Sequence, residues 1–209
     1  MRKINKNQEP NSLTQFKRRS PNTTYADLSA GLRQDIRQAC TTEQHYLCAY
    51  CCKEITGSNK DTLNEHLIPQ HLAANRSLDF DNLVASCTTK GQCDSAHDNK
   101  PLPLTPLMQE CETEFVFKLS GRVKGITERA RESIQVLNLG DCEQHNKALI
   151  EKRKQLVSAL LFSNGIDPVA PVEDDELLQM LIDDLSQPIN GKLQAYAPVV
   201  VNILRNWIA

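Results

Sequence analysis

The stretch that decides the fold runs from Leu47 to Lys100 and reads LCAYCCKEITGSNKDTLNEHLIPQHLAANRSLDFDNLVASCTTKGQCDSAHDNK. It contains two cysteine pairs, Cys48 with Cys51 and Cys87 with Cys93. Zn²⁺ binds four thiolates at the corners of a tetrahedron, and each closely spaced pair supplies two of these corners. Two matched pairs within one short segment therefore predict a structural zinc site.

The other cysteines leave open which sulfur atoms bind the metal. Cys52 directly follows the first pair and could compete with it for the metal, whereas Cys40, Cys111 and Cys142 are interpreted as structural. The alternative for the first pair is a thioredoxin-like redox motif, which requires a strand, a turn and a helix in succession. The turn Gly57-Ser58-Asn59 is followed by a strand pattern instead, and this favours zinc.

The composition is typical of a soluble globular protein. The chain has 209 residues, of which 40% are hydrophobic and 24% charged, and these values disfavour a disordered or membrane-embedded chain. Its most apolar run, Ala197 to Leu204, is interrupted by Pro198 and Asn202 and is too short to span a bilayer. Residues 1–6 lack the apolar core of a signal peptide, so we expect a cytoplasmic protein. In that reducing compartment, eight cysteines favour metal thiolates and free thiols over disulfides.

The net charge of −2 hides an uneven distribution of charge. A basic arm lies between Arg2 and Arg19, and an acidic segment lies between Glu173 and Asp184. The basic arm could contact phosphates, and the acidic segment could contact a protein partner. The alternative is that both are solvated faces without a partner.

Hydrophobic periodicity predicts an α+β chain in three parts. Residues 1–25 form an extended basic arm, residues 26–105 a leading helix and a zinc-stapled module, and residues 106–209 a hairpin followed by a mainly helical region. Within the module, we expect the strand pattern of Thr62 to Ile68 to pair with Tyr46 to Ile55 in a hairpin. The other predicted elements are a helix from Ala26 to Thr42 with Cys40 in the core, a hairpin about Ser120-Gly121, a helix around Ala130 to Leu137, a helix around Leu149 to Leu161 capped by Asp141, and helices at Glu176 to Leu185 and Val199 to Trp207.

The histidine between the cysteine pairs, His66, is a candidate for chemistry. His66 and His71 are separated by Pro69, so they cannot share a helix face as the ligands of a His-Glu-x-x-His metallopeptidase do. This excludes that class of peptidase. A single histidine on a strand is more often structural than catalytic, so the residue type alone does not assign a role to His66.

The motifs that surround His66 favour a catalytic role over a structural one. In order along the chain, these motifs are Cys-x-x-Cys, Glu65-His66-x-x-Pro69, Asp81-Asn82-Leu83 and a second cysteine pair that leads into a short helix. This order of motifs resembles that of the HNH, or ββα-metal, endonuclease family. The match covers about residues 46–100. The resemblance implies a metal-dependent enzyme that hydrolyses nucleic-acid phosphodiester bonds. It also implies a small ββα-metal module packed with the N-terminal helix and the helical C-terminal region.

The resemblance implies a role for individual residues of the module. The resemblance implies that His66 is the general base, since a neutral imidazole suits proton abstraction from water, and that Asn82 orients its ring. It implies that Glu65, where the family usually has Asp, binds a catalytic Mg²⁺ or Mn²⁺. His97 is the first choice for the second ligand of this cation, although Glu65 and His97 could also be surface residues. The alternatives to His97 are Asp94 and Asn99.

A wider resemblance extends along the chain. It rests on short segments spread over the chain, which are Met1-Arg2-Lys3-Ile4, Asp98-Asn99-Lys100 and Val136-Leu137-Asn138-Leu139, together with Tyr50. These segments resemble the HNH partner proteins of the bacterial PtuAB (Septu) antiphage systems. This resemblance implies antiviral defence beside an ABC-type ATPase (PtuA-like), in some systems with a retron reverse transcriptase and its msDNA. The substrate stays open between DNA and RNA, tRNA included. The alternative function is a zinc-stapled module that binds nucleic acid or protein without cutting it.

Overall fold

The computed structural model describes residues 1–169 and 174–208, and within them the chain is a mixed α+β protein. It has two small antiparallel sheets, each of two strands. The strands are β1 Thr62–His66, β2 Leu83–Cys87, β3 Phe115–Phe117 and β4 Val123–Gly125. The α-helices are α1 Asn11–Arg19, α2 Ala30–Glu43, α3 Asp94–His97, α4 Glu128–Val136, α5 Lys147–Ser163, α6 Asp175–Ser186 and α7 Ala197–Arg205.

The first sheet pairs β1 with β2, with Glu65 opposite Val84 and His66 opposite Leu83. The predicted hairpin between Thr62 to Ile68 and Tyr46 to Ile55 is therefore wrong. The earlier segment closes on itself instead, through a bridge between Leu47 and Glu54 and a hydrogen bond from the Cys48 amide to the Lys53 carbonyl. The Ala49 amide of this segment donates to the Ala85 carbonyl of β2, so the segment lies beside β2 and leaves β1 to pair with β2. Helix α2 packs against both strands, and α3 follows β2.

The N-terminal arm is not extended as predicted. Helix α1 forms in it because Leu13 and Phe16 recur at helical spacing, and Leu13 is fully buried. Met1 and Ile4 are also buried, and the Ile4 amide donates to the Pro106 carbonyl at 2.7 Å. The apolar residues hidden in this polar stretch anchor it to the body of the protein.

The positive charges of the arm are largely engaged within the chain. Lys6 forms an ion pair with Glu43 and also donates to the Leu83 carbonyl, while Lys17 pairs with Glu9. The predicted free basic surface is thus reduced mainly to the end of α1, where Arg18 and Arg19 are exposed.

The acidic segment is a helix face. Asp175, Glu176, Asp183 and Asp184 lie on α6 and are exposed, whereas Glu173 lies outside the described residues. The helix buries Leu178, Leu181, Ile182 and Leu185 on its other side. The charged face is therefore available to solvent or to a partner.

The second predicted hairpin is confirmed by β3 and β4, which flank the turn at Gly121. Gly121 has φ +80°, and a Cβ there would lie 2.1 Å from the Ile150 carbonyl oxygen, so the turn can press against α5 only with glycine. The predicted cap of α5 is wrong: Asn146, not Asp141, accepts from the Leu149 amide. Asp141 instead accepts from its neighbour's amide and from His145.

The predicted C-terminal helices are confirmed as α4 to α7, and their buried side chains are continuous with those of the first sheet. Two backbone bonds tie the segment before α7 to the cysteine-rich loop, from the Leu193 amide to the His45 carbonyl and from the Tyr196 amide to the Cys52 carbonyl. Among the described helices, none combines the length and the apolar character that crossing a membrane requires.

Candidate metal centre and adjoining cleft

The four cysteines of the two pairs converge on one point. Cys48, Cys51, Cys87 and Cys93 are all buried, and their sulfur atoms lie within 4.8 Å of one another. The Cys51 and Cys87 Sγ atoms are 3.9 Å apart. Thiolates around one zinc at Zn–S distances of about 2.3 Å would lie roughly 3.8 Å apart at tetrahedral corners. The cluster thus fits a metal ion such as zinc, as the cysteine spacing predicts.

Hydrogen-bond donors surround the sulfur atoms. The Gln92 amide nitrogen lies 3.7 Å from Cys51 Sγ and 3.8 Å from the sulfurs of Cys87 and Cys93. Asn146 holds Gln92 in place by donating to its amide oxygen at 3.1 Å. Hydrogen bonds from the thiols of the other three cysteines, Cys48 first, lower the pKa of Cys87, whereas the hydrogen bond with Cys48 raises the pKa of Cys51 and burial raises the pKa of Cys93. The sulfurs thus share protons with one another, and a metal ion would replace these protons on binding.

A buried cation lies near this cluster. Arg153 on α5 is fully buried, donates to the Gly121 and Leu139 carbonyls and stacks over the ring of Phe117 at 5.0 Å. Burial lowers the pKa of Arg153, and the negative charge of Cys51 opposes that shift. A guanidinium in this position partly balances the negative charge that four thiolates carry.

The remaining cysteines lie outside the cluster of four. Cys52 is buried but does not belong to the cluster, and burial raises the pKa of its thiol. Cys40 and Cys111 are core residues with no exposed surface, as predicted. Cys142, also predicted to be structural, is half-buried, and its sulfur lies within 4.8 Å of ligand atoms of Asp141 and His145.

A cleft of about 350 Å³ opens beside the cysteine cluster. Glu65 and His66 reach it from the end of β1, and Asp94 reaches it from the start of α3, directly after Cys93. Tyr25 and Asn64 also line it. The fold thus brings together three of the predicted site residues, Glu65, His66 and Asp94.

The imidazole of His66 is buried and held by two neighbours. Its Nε2 lies 3.0 Å from the Ser77 carbonyl oxygen, and the Tyr25 ring meets it edge-on at 4.8 Å between centroids. Because a carbonyl oxygen can only accept, Nε2 carries the proton and Nδ1 of the neutral ring keeps its lone pair. Burial lowers the pKa of His66, which keeps the ring neutral at neutral pH.

Asn82 acts on the loop rather than on the His66 ring. Its side-chain oxygen accepts from the Ile68 amide at 2.8 Å, and its nitrogen donates to the Ile68 carbonyl at 3.0 Å and to the Arg76 carbonyl at 3.4 Å. The prediction that Asn82 orients the imidazole is therefore corrected. Ser77 provides the contact, and Asn82 fixes the loop that carries Ser77.

Glu65 is the centre of a buried hydrogen-bond network. Its Oε1 accepts from His97 Nδ1 at 2.5 Å and from the Tyr50 hydroxyl at 3.2 Å. Burial raises the pKa of Glu65, and burial together with the hydrogen bond and charge of Glu65 raises the pKa of Asp94 to about 8. Two carboxyl groups in contact share a proton, and a divalent cation can replace that proton.

His97 is placed differently from Asp94. It is fully buried, does not line the cleft and bonds Glu65 through Nδ1, and within residues 1–169 and 174–208 its Nε2 has no hydrogen-bond partner. Asn99, the other alternative, is exposed and lines the cleft. The arrangement therefore favours Asp94 over His97 as the partner of Glu65 at the cleft surface.

Sequence reasoning missed three residues of this site. Tyr25 lies in the stretch interpreted as an extended arm, and Ser77 contributes a backbone carbonyl, which no side-chain motif can reveal. Tyr50 lies between the first two cysteines, but its spacing gives no signal that its hydroxyl reaches Glu65. Comparison of the chain with protein-family models and with curated proteins finds no match.

Proposed function

We propose that the chain is a cytoplasmic, metal-dependent endonuclease of the HNH type that hydrolyses nucleic-acid phosphodiester bonds. The observation that carries this proposal is the cleft in which Glu65, His66 and Asp94 meet. An imidazole with a free lone pair and two adjoining carboxyl groups form the set that metal-assisted hydrolysis uses. In this proposal the cysteine cluster holds a structural zinc, which fixes Asp94 through the neighbouring Cys93.

His66 is the general base of the proposed reaction. Its Nδ1 takes the proton from the attacking water, while the Ser77 carbonyl holds Nε2–H and fixes the ring. The Tyr25 ring packs on its edge and limits its rotation. The lowered pKa of His66 keeps the base in its reactive, neutral form.

Glu65 and Asp94 are the proposed ligands of a catalytic Mg²⁺ or Mn²⁺. Such a cation, when bound, polarises the phosphate and stabilises the leaving oxygen. His97 and Tyr50 hold the Glu65 carboxylate in one orientation by donating to its Oε1. In this scheme His97 is a positioning residue and not a ligand of the cation.

An Asp94→Asn variant tests the cation site. It removes a charged oxygen ligand but keeps the shape of the side chain. We expect the Mn²⁺ concentration needed for half-maximal cleavage to rise by about 10–100-fold, with activity partly restored in excess Mn²⁺. The measurement is the cleavage rate against Mn²⁺ concentration.

The matched control for Asp94→Asn is Asp81→Asn, because Asp81 is exposed and lies outside the residues that line the cleft. This control should behave as the wild type. Equal metal dependence in the two variants would remove Asp94 from the site.

The proposed chemistry defines the bond that is cut, a phosphodiester, and both DNA and RNA contain this bond. A site that contacts the backbone rather than base edges acts on DNA or RNA, and tRNA is a candidate within the second class. A zinc-stapled module that binds without cutting is the second candidate function. It is favoured by one observation, that Glu65 already accepts hydrogen bonds from His97 and Tyr50.

We further propose that the chain is the effector of an antiphage complex with an ABC-type ATPase, in some systems with a retron reverse transcriptase and its msDNA. The exposed acidic face of α6, with Asp175, Glu176, Asp183 and Asp184, supports a protein contact. Co-expression with the ATPase should give a complex that is stable at low salt and weakened when these four acids are changed to Lys. Failure to form any complex would contradict the partner proposal.

A further inference from the structure

The hairpin β3–β4 and helix α4 enclose a second cleft, of about 330 Å³, outside the strand–strand–helix unit that carries Glu65 and His66. Its floor is apolar, formed by Val123 and Ile134. Its walls carry four basic side chains and one acid, Asp141. The four basic residues are Lys118, Arg122, Lys124 and Arg131. We call this site the basic cleft.

The charges of the basic cleft are not used to hold the fold together. Lys118 and Lys124 are exposed, and over the described part of the chain their side chains form no hydrogen bond or ion pair. Arg131 donates one long bond, 3.5 Å, to the Ile126 carbonyl. Arg122 pairs with Glu143 at 2.5 Å, but both side chains are largely exposed, so the pair contributes little to stability.

This concentration of positive charge stands out in a chain whose net charge is −2. Like charges gathered in one cleft repel one another, and the chain balances only part of this charge, with Asp141 in the cleft and with Glu143 beside Arg122. Arginine forks bind phosphate oxygens through two parallel hydrogen bonds, and lysines add point charges.

Helix α4, which lines the basic cleft with Ile134 and Gln135, is hydrogen-bonded at its end to the loop that precedes Asp94. After the end of α4, the Leu137 carbonyl accepts from the Cys93 amide at 2.9 Å, and Asn138 donates to the Gly91 carbonyl at 2.7 Å. Cys93 directly precedes Asp94, so the same loop leads into the cleft that contains His66. These two hydrogen bonds thus link the end of α4 to the loop that leads into the cleft of His66.

We propose that the basic cleft binds the phosphate backbone of the nucleic-acid strand at a distance from the bond that is cut. This inference rests on the proposed nuclease function, which supplies the nucleic acid. It assigns Lys118 and Lys124 to backbone contacts that fix the position of the strand without reading its sequence.

The test measures binding of labelled single-stranded DNA and RNA to the full chain over a range of salt concentrations. The chain carries His66→Ala and no divalent cation is added, so the strand stays intact. We expect Lys118→Glu and Lys124→Glu each to weaken binding about 3–10-fold at low salt and to lower the salt slope by about 1, equally for different sequences. The matched control is Lys152→Glu, since Lys152 is an exposed lysine on α5 outside the basic cleft.

The inference is overturned if Lys152→Glu weakens binding as much as the cleft variants do. It is also overturned if polyglutamate binds through Lys118 and Lys124 while nucleic acid does not, because an acidic protein segment would then be the occupant. Wild-type cleavage measured in parallel separates the two proposals. If the wild type cleaves nucleic acid but the lysine variants keep the wild-type salt slope, the binding role of the basic cleft is wrong and the nuclease proposal stands. If binding depends on the two lysines but the wild type cleaves nothing, the basic cleft binds nucleic acid and the nuclease proposal is wrong.

Discussion

A Cys87→Ser variant is expected to lose its zinc and to unfold the region around β1 and β2. Cys87 ends β2, is fully buried and has its sulfur 3.9 Å from that of Cys51. A serine hydroxyl keeps its proton at neutral pH and replaces the thiolate poorly as a ligand. Structural zinc contributes about 10–16 kcal/mol to the folding of small zinc modules, which is comparable with the roughly 5–15 kcal/mol total stability of a typical domain.

The measurements for Cys87→Ser are the zinc content per chain and the thermal melt. Cys111→Ser is the matched control, because Cys111 is also fully buried but lies outside the cluster of four. The control should keep its zinc and lose only about 1–3 kcal/mol from the polar group that it buries. Stoichiometric zinc and wild-type melting in Cys87→Ser would refute the assignment of the metal centre.

The second large effect is expected from His66→Ala. Removing a general base typically lowers the rate of a hydrolytic step by about 10²–10⁴-fold. The zinc content should not change, since His66 bonds the Ser77 carbonyl and not a sulfur. Excess Mn²⁺ should fail to restore this variant, in contrast to Asp94→Asn, because the missing group is a base and not a ligand of the cation. The measurement is the single-turnover cleavage rate together with the melting temperature.

The control for His66→Ala is His71→Ala, because His71 is exposed and lies outside the residues that line the cleft. It should cut at the wild-type rate. A His66→Ala protein that is folded and also cuts at that rate would show that the imidazole takes no part in the reaction.

The cysteine cluster and the regular helices could be predicted from the sequence because spacing within short segments reveals them. Cysteine spacing gave the cluster, and apolar residues at helical spacing gave the core face of α2 with Ile36 and Cys40. The turn at Gly121 marked the second hairpin. The residues that determine α2 and the second hairpin are close neighbours in the chain, whereas the cluster joins two compact cysteine pairs that are far apart in sequence.

The partner of β1 could not be predicted by the same means. Strand β2 is buried along its whole length and so shows no alternation, and it pairs with β1 across a long loop. Helix α1 was missed because Leu13 and Phe16 lie among polar residues, and their burial depends on tertiary contacts. The orientation of His66 depends on the backbone of Ser77, and a backbone carbonyl leaves no trace in the sequence.

The central claim is that the cleft formed by Glu65, His66 and Asp94 cuts nucleic acid. The most direct measurement is a cleavage assay of the purified wild-type chain, alone and with the proposed ATPase partner, on plasmid, single-stranded DNA and total RNA with Mg²⁺ or Mn²⁺. We predict strand breaks in at least one of these substrates that require the divalent cation and disappear with His66→Ala. The absence of cleavage in every substrate, with either cation and with the partner present, would contradict the claim and favour the zinc-stapled binding module.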